Sequence, residues 1–354
     1  EFRKQACPAR YLLGTPATKS QQVKARAAVD LLGRWNSMNG FSAIRMARQI
    51  VGRPKAKHNI VMLHGLLSSK RGWGGFPTRL LKALGDATGE EPDFSIHLVD
   101  CRNHGDSDHT SFHSLQAVAE DVKHYLVENE LSSPILMGHS MGGKAALLYA
   151  TLYGTEHGPY GDGPGVRSVV ALDAAPCVYD TNHKYIFDAM QSIDLDTIRS
   201  RAEVDQQLKA QIPYAAERAY VMANLRTDAD KKAKWIPNLP VLARDERHVH
   251  DWPFGSKPYH GPALFVGGNL STRLTNERHL KAVRTLCPRS TVVMVQGGHF
   301  VHHAAAEDTV EHIVDFLALE LRLRRKDDPF REEHSFKRMK GQSPVFPSEV
   351  YADM

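Results

Sequence analysis

Hydrophobic and polar positions alternate in a regular way from about residue 59 onward. Short apolar runs, which are typical of buried strands, are separated by longer segments whose apolar residues recur every three or four positions, the period of an α-helix. This β–α alternation is typical of a mostly parallel sheet with helices on both faces. The predicted strands are residues 59–63, 95–100, 134–137, 166–172, 262–266 and 291–296.

Helices are predicted between these strands. The one with the clearest signal begins after Ser114, a good capping residue, and carries its apolar residues on one face as far as Leu126. Two stretches break the alternation: the Gly/Pro-rich residues 154–165 predict an inserted surface loop, and the polar, mostly helical residues 177–258 predict a cap. The other predicted helices are residues 77–84, 143–150, 202–223, 276–286 and 308–323.

The pattern as a whole predicts one α/β domain with a helical cap. Its core comprises residues 58–176 and 259–323, and the cap comprises residues 177–258. A basic N-terminal extension, residues 1–57, precedes the core, and a charged C-terminal tail, residues 324–354, follows it. A chain of 354 residues is not too long for one such domain, so no second domain is required.

The net charge of +5 is modest, but the positive charge is concentrated near the start of the chain. Residues 1–58 carry twelve Lys or Arg and two acids, which is typical of an organellar transit segment and predicts a mitochondrial or other organelle matrix location. A solvated basic arm on a cytoplasmic protein explains this composition equally well. Few aromatic residues accompany these charges, so no nucleic-acid partner is expected. No apolar run approaches about 20 residues, so no transmembrane span is expected.

Cysteine and histidine spacing gives no metal signature. The four cysteines form no C-x-x-C motif, which argues against a zinc ribbon and a disulfide framework and favours a reducing compartment. His299, His302 and His303 lie close together, but no carboxylate completes a zinc pattern, so no metal is predicted. His248 and His250, on a polar cap segment, are expected to be solvated.

The motif G-H-S-M-G at residues 138–142 fits the G-x-S-x-G pattern of a nucleophile elbow. Such an elbow places a serine on a tight turn between a strand and a helix, and its glycines let neighbouring backbone approach closely. Residues 134–137 predict the strand and residues 143–150 predict the helix. Ser140 is therefore the candidate nucleophile, although in isolation the motif also fits a structural turn.

A serine nucleophile needs a base that accepts its proton during attack. His299 is the candidate, because it follows the last predicted strand and so lies at the same carboxyl edge of the sheet as Ser140. An imidazole, with an ordinary pKa of about 6.5, suits proton transfer in both directions. His139, next to the nucleophile, is expected to pack beside the elbow.

Two carboxylates are candidates for orienting His299. No Asp or Glu follows the strand at residues 262–266 until Glu277, whereas Asp173 directly ends the strand after the nucleophile's helix. We assign the acid to Asp173, with Glu277 in reserve. Its role is to fix the imidazole tautomer and to stabilise the imidazolium. The alternative role for Asp173 is to cap the following turn.

The oxyanion formed by attack at Ser140 needs preorganised N–H donors. The backbone amides of Met141 and Leu66 are the candidates, since one follows the nucleophile and the other lies on the loop after the first predicted strand. His104 and His64 are expected to brace loops through hydrogen bonds. The residues expected to line the pocket are His64, Leu67, His139 and Phe300.

Four motifs occur in the order found in a known superfamily. They are H-G-L-L-S-S at residues 64–69, D-C-R-N-H-G-D-S at 100–107, G-H-S-M-G-G-K at 138–144 and G-G-H at 297–299. Together they resemble the α/β-hydrolase superfamily, and the second and third resemble the YbfF-type esterases and the mitochondrial abhydrolase-domain-containing proteins. The resemblance implies an α/β-hydrolase fold, serine esterase or thioesterase activity on acyl substrates, and no metal or organic cofactor. It also supports Asp173, because relatives of this type carry an acid in a matching D-x-x-P segment.

These observations predict a serine hydrolase that cleaves carboxylic ester or thioester bonds of small acyl substrates through an acyl-enzyme on Ser140. Two alternatives remain open. One is different chemistry on the same residues, namely C–C bond hydrolysis, lactone hydrolysis or cofactor-free peroxidation. The other is a protein that keeps the pocket and uses its cap or tails to bind or protect a protein partner.

Overall fold

The protein is represented by a computed structural model, which describes residues 42–154, 164–181, 183–227, 232–253 and 256–323. Most of the predicted basic extension, most of the predicted loop insertion and the whole predicted tail lie outside the described residues. The organelle location, which was inferred from the basic extension, therefore stays a prediction.

The described residues form nine strands, which are β1 Arg48–Gly52, β2 His58–Leu63, β3 Phe94–Val99, β4 Ile135–His139, β5 Ser168–Leu172, β6 Leu225–Thr227, β7 Ala233–Trp235, β8 Ala263–Gly268 and β9 Ser290–Val295. Seven of them form one sheet in the order β1-β3-β2-β4-β5-β8-β9. All except β1 run parallel, which confirms the predicted mostly parallel sheet. The carboxyl ends of the six parallel strands consequently lie at one edge, where open α/β sheets place their sites.

The strand β1 was missed in the sequence. It pairs antiparallel with β3 at the edge of the sheet, so the sheet begins before residue 58, where the core was predicted to start. Four of its five residues are exposed. Such a strand shows neither the apolar run nor the apolar–polar alternation by which buried strands are recognised.

The helices of the described residues are α1 Phe76–Thr88, α2 Leu115–Glu128, α3 Met141–Tyr153, α4 Lys184–Gln191, α5 Arg201–Leu208, α6 Ala215–Met222, α7 Leu239–Asp245, α8 Arg247–His250, α9 Glu277–Leu286, α10 Val301–Ala304 and α11 Ala306–Leu321, with a short 3₁₀ helix at Lys70–Trp73. Ser114 caps α2 as predicted, because its hydroxyl accepts from the Ala117 amide at 3.1 Å. None of these helices is both long and apolar enough to span a membrane.

The cap differs from its prediction in two ways. The stretch predicted as helical over residues 202–223 is two helices, α5 and α6, and Pro213 lies between them. Proline disfavours a helical conformation for the residue before it, so the helical pattern is interrupted there. The hairpin of β6 and β7 also makes the cap less completely helical than expected.

Helices cover both faces of the sheet, as the packing of β2 illustrates. Ile60 and Met62 belong to an apolar cluster that includes α1 and α11, whereas Val61 and Leu63 belong to a cluster that includes α2, α3 and the cap. Successive side chains of a strand point to opposite faces. A strand buried on both faces therefore requires the continuous apolar run that the sequence shows.

Candidate active site

Ser140 lies on a sharp turn between β4 and α3. Its backbone adopts φ +51° and ψ −116°, a strained conformation for a residue with a side chain. The flanking glycines make this turn sterically feasible: a Cβ on Gly138 would lie 2.3 Å from the carbonyl carbon of Gly142, and a Cβ on Gly142 would lie 2.2 Å from the Leu63 carbonyl oxygen. The turn therefore requires glycine at both positions of the G-x-S-x-G motif.

His299 and Asp173 lie in line with Ser140. The distance from His299 Nε2 to Ser140 Oγ is 3.0 Å, and the distance from His299 Nδ1 to Asp173 Oδ2 is 2.6 Å. With the imidazole proton on Nδ1, the ring donates to the carboxylate and its Nε2 accepts from the serine hydroxyl. The structure thus brings together the three side chains that the sequence singled out, two of them 159 residues apart along the chain.

Asp173 is fully buried, and its carboxylate accepts two further hydrogen bonds. The Ser271 hydroxyl donates to Oδ2 at 2.6 Å, and the Gly268 amide donates to Oδ1 at 3.2 Å. These donors lie at the end of β8 and in the loop after it. The sequence does not reveal them, because a loop Ser and a Gly carry no periodic signal. Glu277, the reserve acid, has a side chain that is 77% exposed and forms its ion pair elsewhere. The carboxylate that contacts His299 is that of Asp173.

The two amides expected to bind an oxyanion lie on segments next to Ser140. Met141 is the first residue of α3, so its N–H is one of the initial amides that have no partner within the helix. The Leu66 amide follows Gly65, where a Cβ would lie 3.5 Å from the Ser140 Cβ. The loop after β2 therefore packs against the turn of the nucleophile. Oxyanion binding by these amides stays a prediction.

The core side of this loop is braced by two histidines. The Leu67 amide donates to His104 Nε2 at 3.1 Å, and the Cys101 amide donates to His64 Nε2 at 3.0 Å. Both contacts are of the kind expected from the sequence. The expectation that His64 also lines the pocket needs correction, because this side chain is 2% exposed and is absent from the wall of the chamber described below.

The cap holds the same loop from the opposite side. The Tyr220 hydroxyl, at the end of α6, donates to the Leu66 carbonyl, and the Asn224 side chain donates to the Leu67 carbonyl at 2.7 Å. Asn224 is 5% exposed. Neither contact was predicted, because both join segments that are more than 150 residues apart in sequence.

The motif at residues 100–107 has a supporting role in this arrangement. The buried Asp100 carboxylate accepts from the Lys70 amide at 2.6 Å and from the Lys70 ammonium at 2.5 Å. A Cβ on Gly105 would lie 2.1 Å from Asp100 Cγ, which explains the glycine. Arg102 donates twice to the buried Asp121, each time at 2.6 Å. The motif thus fixes the loop that carries His104.

A chamber of about 360 Å³ is lined by Ser140 and His299. Leu67, His139 and Phe300, which were expected to line the pocket, are in its wall. The wall is mostly apolar and aromatic, as in many small-molecule sites. The cap contributes Ile186, Tyr214, Ala216, Tyr220, His183 and Glu217.

A second cavity, of about 700 Å³, shares part of this wall. Leu67, His299 and the rings of Tyr220 and Phe300, whose centroids are 4.9 Å apart, line both spaces. The second cavity also has a cation, Arg71, in its wall. His299 is therefore bordered by two spaces, of which the larger has an arginine in its wall.

His139 packs beside the elbow and is uncharged at neutral pH. Burial, and after it the charges of His302 and His299, hold the pKa of His139 well below its ordinary value. Its Nε2 lies 2.9 Å from the His299 carbonyl oxygen. When Nε2 carries the proton, His139 donates to the loop that presents His299 and so helps to position it.

His250 contradicts the expectation that the cap histidines are solvated. It is 7% exposed, whereas His248 is half-buried against Phe112. Burial, followed by the charge of the neighbouring His183, lowers the pKa of His250 to about 4. The polar sequence of this segment concealed an inward-facing side chain, because a single turn of helix, α8, is too short to show periodicity.

Comparisons with known proteins show the family to which the chain belongs. Residues 60–312 match the model of a family described as the alpha/beta hydrolase family. The sn-1-specific diacylglycerol lipase ABHD11 of Mus musculus is 31% identical over 268 residues, which are 73% of this chain and 80% of that protein. Esterase YbfF of Escherichia coli is 28% identical over 267 residues, which are 74% of this chain and 94% of that protein. A solved structure titled marine microorganism esterase is 26% identical, with a TM-score of 0.68, and covers 78% of this chain and 100% of its own.

Proposed function

The chain belongs to the alpha/beta hydrolase family and has esterase and lipase relatives, and we propose that it is a serine hydrolase that cleaves carboxylic ester or thioester bonds of acyl substrates through an acyl-enzyme on Ser140. The observation that carries the proposal is the hydrogen-bonded line from Ser140 through His299 to Asp173 at the wall of an apolar chamber. A purely structural turn would explain the strained backbone at Ser140. It would not explain why a base and a buried carboxylate are aligned with the serine hydroxyl.

In the first half of the reaction, Ser140 Oγ attacks the acyl carbonyl while His299 Nε2 accepts the hydroxyl proton. Asp173 keeps the other imidazole proton on Nδ1 and stabilises the imidazolium. The tetrahedral intermediate collapses when His299 returns its proton to the leaving alcohol or thiol. The acyl group then remains on Ser140.

In the second half, a water molecule replaces the leaving group. His299 accepts a proton from this water as it attacks the acyl-enzyme, and then returns the proton to Ser140 Oγ as the carboxylic acid is released. The Leu66 and Met141 amides would stabilise the oxyanion in both halves, and each such donor is worth about 3–4 kcal/mol of barrier in hydrolases of this kind.

The two cavities suggest how a substrate lies across Ser140. The apolar chamber suits an acyl chain, because most of its wall is aliphatic or aromatic. The second cavity, with Arg71 in its wall, suits a polar leaving group. The arrangement favours substrates with an apolar acyl group and a polar remainder, and it accommodates both ester and thioester links.

The decisive experiment is labelling with a fluorophosphonate, which phosphonylates an activated serine. We expect one adduct per folded chain, on the peptide that contains Ser140, and none in the Ser140→Ala variant or in urea-unfolded protein. Absence of an adduct on the folded wild-type chain would exclude the serine hydrolase and favour a protein that binds a partner.

A hydrolysis screen distinguishes the reactions that the same residues support. Matched esters and thioesters with acyl groups from acetyl to palmitoyl should be cleaved by the wild-type chain and not by Ser140→Ala. If a fluorophosphonate adduct forms but lactones or C–C substrates are the only ones turned over, the ester and thioester assignment is wrong while the nucleophile is right.

A further inference from the structure

Two histidines and a glutamate converge within the cap, away from the hydrogen-bonded line at Ser140. His183 directly precedes α4, Glu246 lies between α7 and α8, and His250 ends α8. Among the described residues, this is the one group of three His, Cys, Asp or Glu side chains whose potential ligand atoms all lie within 4.8 Å of one another. Glu246 and His250 are four residues apart, but His183 is 63 and 67 residues from them, so the sequence does not reveal that the three converge.

The three atoms form a nearly equilateral triangle. His183 Nδ1 lies 3.2 Å from His250 Nε2 and 3.4 Å from Glu246 Oε1, and His250 Nε2 lies 3.2 Å from Glu246 Oε1. Ligand atoms at ~2.0–2.1 Å from a tetrahedral zinc ion are roughly 3.3 Å apart, which is the edge length observed. Two imidazoles and one carboxylate are also a ligand set that zinc uses in proteins.

We propose that His183, Glu246 and His250 bind a single Zn²⁺ ion, which ties the start of α4 to the α7–α8 segment of the cap. The ion would have three protein ligands and a fourth position for water. The reaction at Ser140 needs no metal, so the site would stabilise the cap rather than supply chemistry.

The protonation of the group favours a cation. His250 Nε2 lies within hydrogen-bond distance of both His183 Nδ1 and Glu246 Oε1, but an imidazole nitrogen carries at most one proton. A metal ion needs no such proton, because it accepts a lone pair from each imidazole nitrogen and from the carboxylate oxygen at once.

The cation that contacts His250 does not prevent binding. Lys144 Nζ donates to the His250 carbonyl oxygen at 2.8 Å, on the backbone rather than on the ring.

Access to the site is from the side of His183. Its side chain is 32% exposed and lines the chamber with Ser140, whereas the Glu246 side chain is 11% exposed and that of His250 is 9% exposed. An ion could therefore exchange through the chamber without unfolding the cap.

The test is titration of metal-free, full-length protein with Zn²⁺, followed by equilibrium dialysis and thermal unfolding. We expect about one Zn²⁺ per chain and an increase in Tm of about 5 °C at a hundredfold excess over Kd. Binding should weaken at least tenfold in His183→Gln and in Glu246→Gln, and it should be unchanged in the matched control His248→Gln, which removes a histidine of the same helix.

Cobalt distinguishes this site from binding by thiols. Cys101, Cys177 and Cys287 are free and buried. Co²⁺ at the proposed site should give the visible bands of a tetrahedral ion without a thiolate charge-transfer band, and these bands should be lost in Glu246→Gln. No saturable binding to the wild-type chain, a thiolate band, or equal binding by wild type and folded Glu246→Gln would each overturn the proposal and leave the triangle as a hydrogen-bond network.

Discussion

At the scale of single residues, the site depends on two strained backbone positions at neighbouring strand ends. Ser140 has φ +51° and Asp173 has φ +48°, both in the left-handed region that side chains disfavour. Their amides nevertheless continue the sheet: Ser140 N–H donates to the Leu172 carbonyl at 3.0 Å, and Asp173 N–H donates to the Val266 carbonyl at 2.8 Å. Each strained backbone conformation costs about 1–3 kcal/mol. The two hydrogen bonds stabilise these conformations and keep both side chains at the edge of the sheet.

The Asp173→Asn variant tests the acid. An amide in place of the carboxylate keeps the shape but no longer holds the His299 proton on Nδ1, so we expect kcat for an ester substrate to fall on the order of 10³–10⁴-fold. The matched control is Glu277→Gln, which should have normal kcat because Glu277 is exposed. Comparable activity of the two variants would move the acid away from Asp173.

Gly142→Ala tests the steric basis of the elbow. Its Cβ would meet the Leu63 carbonyl oxygen at 2.2 Å, a backbone atom that cannot move aside. We expect the free energy of unfolding in urea to drop by about 3 kcal/mol or more. Gly75→Ala is the control, because a Cβ there meets nothing within 4 Å and its φ is −82°. Equal stability of the two variants would show that the turn tolerates a side chain.

At the scale of elements, the end of the cap helix α6 and Asn224, just after it, hold the loop after β2. Tyr220 and Asn224 donate to two consecutive carbonyls of that loop, Leu66 and Leu67. A hydrogen bond to a carbonyl fixes the peptide plane that contains it, so these two bonds fix the Leu66–Leu67 and Leu67–Ser68 peptides, which directly follow the Leu66 amide and limit its movement. The cap is therefore expected to affect catalysis through the oxyanion as well as through the pocket wall.

Asn224→Ala should lower kcat about tenfold while KM changes by less than about twofold. The loosened loop would weaken the hydrogen bond from the Leu66 amide to the oxyanion, which forms only during the reaction, and would leave substrate binding almost unchanged. Steady-state kinetics on an acyl ester measures the split. The matched control is Arg226→Gln, which breaks a different cap–core contact, the 2.6 Å ion pair with Asp106, and should leave kcat unchanged. A loss confined to KM would assign Asn224 to substrate binding instead.

At the scale of the whole molecule, the fold keeps several histidines buried and neutral. Burial lowers the pKa of His113 to about 3 and, with Arg48 as the second cause, that of His97 to about 4. Burial also lowers the pKa of His64, His104 and His139. The unfolded chain, with an ordinary histidine pKa of about 6.5, binds more protons than the folded chain below that pH. The folded state is therefore expected to be sensitive to mild acid.

Stability should consequently fall as the pH falls below about 6.5. Each histidine that stays neutral in the folded state makes its full contribution to the free energy of unfolding above its unfolded-state pKa. That free energy falls by about 1.4 kcal/mol per such histidine between pH 7.5 and pH 5.5. Urea unfolding at these two pH values measures the change. His97→Gln, which removes one such group outside the site, should reduce the loss by about one such increment. A free energy of unfolding that is flat over this range would show that the histidines titrate normally.

Much of the fold was predictable because it depends on local rules. A strand buried on both faces needs a continuous apolar run, as in β2, and a helix such as α2 needs a capping residue and a one-sided apolar face. Strand β1 was not predictable, since an exposed edge strand is held by its backbone pairing rather than by its side chains.

The sequence by itself determined the elbow and the three side chains proposed to react. Close packing requires glycine at positions 138 and 142, and the three side chains follow recognisable strands, so both features can be read from neighbouring residues. The tertiary structure alone decided what surrounds them: the hydrogen bond from Ser271 to Asp173, the hydrogen bonds from Tyr220 and Asn224 to the loop after β2, and the approach of His183 to Glu246 and His250. These contacts join residues far apart in sequence. Each depends on how the segments meet in space, and such a meeting imposes no period or spacing on the chain.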